Sequence, residues 1–201
     1  MLKFGIPGLV KLVSVGKTSS NADQGFDIPL QTPVLDPLPE ATYSGRIKVS
    51  GFAGSNLKVK LMREGQETDT KTADNDGNFS FDLVLRVGEN NLGVTASDDK
   101  GKESNAATAT VIYDNVAPEI EIREPQDEAA FGGRDQQVLN ISGKLSEEAT
   151  VTINDNYVSV DSDNFFTYKT KMSSGVNEYV VKATDKAGNT SETLLRVTFS
   201  L

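Results

Sequence analysis

Apolar and polar positions alternate with a period of two along most of the chain, and the alternation comes in two matching sets. Tyr179, Val181 and Ala183 lie two residues apart with outward-facing residues between them, and Leu92, Val94 and Ala96 do the same earlier in the chain. That period predicts strands with one buried face. Each set is followed by a short Asp- and Gly-containing stretch, Asp98-Asp99-Lys100-Gly101-Lys102 or Asp185-Lys186-Ala187-Gly188-Asn189. An Asp that bonds its own backbone and a Gly free to take positive φ predict a hairpin there. A further alternating strand follows each hairpin, Ala107-Ala109-Val111-Tyr113 and Thr193-Leu195-Val197-Phe199. A third precedes each set, Phe79-Phe81-Leu83-Leu85 and Phe166-Tyr168-Thr170-Met172.

The register of this repeat is an offset of 87 residues, which lays Gly88 on Gly175, Asn90 on Asn177, Asp98 on Asp185 and Gly101 on Gly188. A repeat of that size, all strand and turn, predicts two small β-sandwiches in tandem. The first is placed at residues 32–114 and the second at 115–201, with Asp114-Asn115-Val116-Ala117-Pro118 at the junction. Earlier strands match as well. Val49-Ser50-Gly51 corresponds to Ile141-Ser142-Gly143, and Val59-Lys60-Leu61 to Val151-Thr152-Ile153. Asp163-Asn164 stands where Asp76-Gly77 stands, a reasonable exchange because Asn tolerates positive φ best among residues with a side chain. The run Thr32-Pro33-Val34-Leu35-Asp36-Pro37-Leu38-Pro39 predicts extended backbone at a sheet edge.

Residues 1–16 break the pattern. Leu2, Phe4, Ile6, Leu9, Val10, Leu12 and Val13 crowd an apolar stretch, interrupted by Lys3, Pro7 and Lys11. Leu2, Ile6, Leu9 and Val13 fall at helical spacing. The stretch is shorter than the roughly 20 apolar residues a bilayer needs, and it lacks a signal peptide's clean apolar core and cleavage site. Three readings stay open: the end of a membrane helix that begins upstream, an amphipathic segment that docks on a membrane or a neighbouring subunit, and a plain tail. Residues 17–31 read as a polar linker.

Composition narrows the chemistry. The formal net charge is −9, with Lys+Arg 20 against Asp+Glu 29, and no basic cluster emerges. Nucleic-acid binding needs such clusters and is not expected. The chain has no Cys, His or Trp. Disulfides, thiolate metal sites, the usual general base and the commonest sugar-stacking residue are therefore all missing.

The order Ser-Gly, alternating strand, Asp-x-x-Gly/Asn before an aromatic strand, Gly-x-Asn and Ala-x-Asp-x-x-Gly-Asn resembles the immunoglobulin-like repeats that stand in tandem on bacterial cell-surface and secreted proteins. The resemblance covers residues 32–201. It implies an all-β chain of two immunoglobulin-like sandwiches, each of seven strands, at the cell surface or outside the cell. It transfers no active site. Domain one departs at Lys102, where domain two has Asn189, and its middle hairpin is five residues longer.

Several residues invite a chemical reading. Asp74/Asp76, Asp98/Asp99, Glu147/Glu148 and Asp161/Asp163 are paired carboxylates, but they lie in or near predicted turns and not across a cleft as glycosidic catalysis requires. No catalytic residue, cofactor or small-molecule substrate is expected. Calcium is the one metal considered, with Asp114 joining loop carboxylates of the second domain across the junction. Phe165 is expected to point outward, next to the core-facing Phe166. Asn78, Asn140 and Asn189 begin Asn-x-Ser/Thr triplets, a pattern frequent by chance in Ser- and Thr-rich strands.

The functional expectation is a non-enzymatic surface spacer anchored through Leu2, Phe4, Ile6, Leu9, Val10, Leu12 and Val13. The alternatives are a subunit of an extracellular filament or pilus that assembles through the same residues, and an adhesive or carbohydrate-binding accessory module.

Overall fold

The computed structural model describes residues 29–201. The apolar segment 1–16, with its anchor residues Leu2 to Val13, and nearly all of the linker 17–31 lie outside the described residues. The first eight strands are β1 (Val34–Leu35), β2 (Ala41–Thr42), β3 (Arg46–Phe52), β4 (Lys58–Arg63), β5 (Gln66–Thr72), β6 (Asn78–Val84), β7 (Gly88–Ser97) and β8 (Ala107–Tyr113). The second eight are β9 (Ile120–Glu124), β10 (Ala129–Gly132), β11 (Val138–Leu145), β12 (Thr150–Ile153), β13 (Asn156–Val158), β14 (Phe165–Lys171), β15 (Gly175–Thr184) and β16 (Thr190–Ser200).

They form two sandwiches of one design. In the first, the sheet β1-β3-β6 faces β2-β8-β7-β4-β5; in the second, β14-β11-β9 faces β10-β16-β15-β12-β13. Alternation puts Val49, Val59, Leu61, Phe81, Val94 and Val111 into one dry core and Ile141, Val151, Ile153, Phe166, Val181 and Phe199 into the other. The edge strand expected over residues 32–39 is in fact split, and the opening strand of domain two is split in the same way. In each, the first half pairs antiparallel with β3 or β11, and the second half crosses to the opposite sheet and runs parallel to β8 or β16.

The repeated Ser-Gly step is the consequence of that crossing. A Cβ on Gly51 would lie 2.0 Å from the Val34 carbonyl oxygen, and one on Gly143 would lie 2.6 Å from the Glu121 carbonyl oxygen and 2.4 Å from the Phe166 ring. Only a residue without a side chain lets the first strand approach so closely. The β9–β11 register shifts between Ser142 and Gly143, a bulge that aims the chain toward the other sheet.

Gly-x-Asn has an equally local cause. Asn90 Oδ1 accepts from the Arg86 N–H at 2.9 Å, and its Nδ2 donates to the Arg86 and Gly88 carbonyls. Asn177 repeats this with Ser173 and Gly175. Each Asn thus pairs backbone groups in the turn that carries the chain from one sheet to the other, groups that would otherwise go unsatisfied.

Gly51→Ala should destabilise the first sandwich by about 2–3 kcal/mol, the usual cost of forcing atoms into a filled site, while the second sandwich melts as before. Calorimetric unfolding of the single variant reads both transitions.

Candidate functional site

The acidic pairs resolve first. Asp74 Oδ1 accepts from the N–H groups of Asp76 and Asn78, and Asp161 Oδ1 from those of Asp163 and Phe165. Asp98 Oδ1 takes the Lys100 and Lys102 N–H groups, and Asp185 Oδ1 takes those of Gly188 and Asn189. These carboxylates organise their own loops. The hydrogen bonds from Asn78, side chain first and then backbone, hold the Asp74 carboxyl below its ordinary range. That is the reverse of what a general acid needs.

Phe165 points outward, as alternation predicts, but it is not a free aromatic surface. The Arg123 guanidinium lies 4.5 Å from its ring centroid and the Lys144 ammonium 4.9 Å. Cations from β9 and β11 cover the ring.

A polar arrangement lies between the sandwiches, where the β15–β16 hairpin reaches back to the end of β2 and β8. The Tyr43 N–H donates to the Ala187 carbonyl at 3.0 Å, and Asn189 Nδ2 donates to the Asp114 carbonyl at 2.9 Å. Lys186 Nζ pairs with Glu40 at 2.6 Å. The Tyr43 ring lies over Gly188, close enough that a Cβ there would sit 3.1 Å from it. The linker is tied at both ends. The Val116 N–H donates to Asp114 Oδ1, Ser191 Oγ donates to the Pro118 carbonyl, and the Glu119 N–H donates to Ser146 Oγ.

An open cleft of about 570 Å³ lies at this joint, and Asp114, Glu147 and Asp185 converge on it. One carboxylate oxygen from each lies within 4.8 Å of the others. The sequence reading pointed to Asp114 and loop carboxylates, and Glu147 and Asp185 are the loop residues that meet it. Their oxygens are the ones a hard cation would use, but three carboxylates, two of them already accepting bonds in their own turns, fall short of the six to eight oxygens calcium takes. No described cation neutralises Glu147, since Lys186 is engaged by Glu40. Burial first, and then the charges of Asp114 and Asp185, push the Glu147 carboxyl above its ordinary value.

The sequence reading missed Glu40, Tyr43, Lys186 and Ala187 as joint residues. One signal was available, the departure at position 189. Where domain one has Lys102, domain two has Asn189, and this Asn reaches the linker carbonyl.

Comparison with known proteins agrees with the geometry. Residues 41–112 match the family model of the bacterial Ig domain. Over 180 residues the chain is 29% identical to Bacillopeptidase F of Bacillus subtilis (strain 168); the match spans 86% of this chain and 12% of that protein. Among solved structures, the fibronectin(III)-like modules of Clostridium thermocellum CbhA superpose with a TM-score of 0.54 at 18% identity, over 84% of this chain and 94% of theirs. That likeness concerns the fold.

A carboxyl whose folded-state pKa is raised binds its proton more tightly in the native state, so stability falls as pH rises from the unfolded value of 4.5 through the folded one. Glu147→Gln should therefore stabilise the protein at pH 7 by up to about 0.5 kcal/mol, a modest gain because solvent still reaches the group. The advantage should vanish as the pH falls toward 4.5. Paired thermal melts at both pH values check this.

Proposed function

We propose that these tandem bacterial immunoglobulin-like domains act as a non-enzymatic extracellular spacer, held to its site through residues 1–16 and bearing no catalytic centre of its own. The observation that carries the proposal is the joint. Two sandwiches joined by a short linker would swing freely unless tied, and here backbone bonds, an ion pair and the Tyr43–Gly188 contact all tie them. A stiff pair separates what is attached at its two ends, while the excess of acidic side chains on both domains opposes self-association.

Two further points support the reading. Of the paired carboxylates, Asp74, Asp98 and Asp161 are occupied in their own turns. The matching stretch of Bacillopeptidase F is a minor part of a much longer protein, as expected of a carried module. Among the described residues no helix is long and apolar enough to cross a membrane, so in this proposal attachment falls to Leu2, Phe4, Ile6, Leu9, Val10, Leu12 and Val13.

The test compares the full chain with one that begins at Thr32, by light scattering after gel filtration with and without anionic lipid vesicles, and by electron microscopy. The expected result is a monomer for the shorter chain and vesicle association for the full chain only. Ordered filaments of the full chain would replace the spacer with a polymer subunit, and identical soluble monomers would remove any role for the segment in attachment.

A further inference from the structure

The strand β2 is only two residues long, and it is held from two sides by different domains. On one side it lies parallel to β8, with Ala41 opposite Ile112 and Thr42 opposite Tyr113. The Ile112 N–H donates to the Glu40 carbonyl at 2.9 Å and the Asp114 N–H to the Thr42 carbonyl at 3.1 Å. On the other side, the residues that flank β2 are the ones that bind domain two. Glu40 holds Lys186, and Tyr43 bonds Ala187 and covers Gly188.

The counterpart in domain two is built more heavily. There β10 pairs with β16 over four positions, Ala129 to Gly132 against Val197 to Ser200. The bonds Glu128 N–H to Arg196 carbonyl and Gly133 N–H to Ser200 carbonyl bracket it, and Asp127 Oδ1 accepts from the Arg196 N–H. The difference has a source in the sequence. Pro33, Pro37 and Pro39 remove three backbone donors from the first strand of domain one and disfavour regular pairing around them.

We propose that β2 is a latch shared by the two domains: its release from β8 opens the first sandwich and in the same step frees the joint, and docking of the second domain's hairpin holds it shut. Coupling of this kind is reciprocal. Whatever loosens the Lys186–Gly188 hairpin from Glu40 and Tyr43 raises the open fraction of β2, and whatever detaches β2 unties the joint. The coupling between hairpin and strand does not rest on the spacer role proposed above.

The experiment reads a substitution in one domain through the other. In the full chain, Lys186→Glu puts like charge opposite Glu40, and Gly188→Val both strains the hairpin turn, where φ is 93°, and puts a branched side chain against the Tyr43 ring. Amide hydrogen exchange by NMR reports local opening. The Ile112 and Asp114 amides, which donate to the flanks of β2, should exchange about twofold to fivefold faster in Lys186→Glu, and faster still in Gly188→Val. Mid-strand amides of Val94 and Val181 should keep their wild-type rates. Unchanged exchange at Ile112 and Asp114 in both variants overturns the latch, as does acceleration spread equally to Val94, which would mean global destabilisation. Vesicle association and filament formation are not read here, so failure of the latch and failure of the spacer proposal are separate results.

Discussion

Everything in each domain follows from the passage of its first strand from one sheet to the other. The passage closes both sides of the sandwich with a single segment, and it succeeds only where the neighbouring strand presents a glycine. At Gly51 and Gly143 the crossing backbone comes to within about the distance a Cβ would occupy, so the requirement is steric and admits no larger residue. The second half of the crossing strand then lies parallel to the last strand, at the end of the domain from which the chain leaves. In domain one that end carries Glu40, Tyr43 and Asp114, and these three residues meet the next domain. Core, topology and joint are thus linked through one steric condition.

Much of this was legible in the sequence because its causes are local. The period-two alternation of Leu92, Val94 and Ala96 marks a buried face wherever the partner strands lie. Asp98 and Asp185 organise the turns that contain them, and Asn90 and Asn177 bond groups two to four residues away. The split of the first strand was not legible, since a Pro-rich run fits one irregular edge strand as well as two short ones in opposite sheets. The joint was hidden for a different reason. Its bonds span distances such as the 75 residues between Asn189 and Asp114, and the Tyr43–Ala187 bond is made by backbone groups that every residue has. For Phe165 the alternation gave the direction of the ring, but its cover by Arg123 and Lys144 depends on the pairing of three strands.

The acidic character of the chain plays two physical roles. Single aspartates inside turns satisfy backbone donors at little cost, because solvent still reaches their free oxygens. Asp114, Glu147 and Asp185 are different, since three carboxylates are held together and Lys186, which lines the same cleft, is engaged by Glu40. The backbone bonds and the Tyr43 contact hold the joint closed against that repulsion. The joint is therefore a balance between directional bonds and like charge.

The central claim is that the two sandwiches keep one orientation because the β15–β16 hairpin is docked on β2. The absence of Cys from the chain permits clean spin labelling after Asp82→Cys and Lys169→Cys, one exposed site on each domain. Pulsed electron resonance on the doubly labelled protein should give a single narrow distance distribution, and adding Gly188→Val should broaden it. A distribution already broad in the protein without that substitution would contradict the account, because the two domains would then be beads on a free linker.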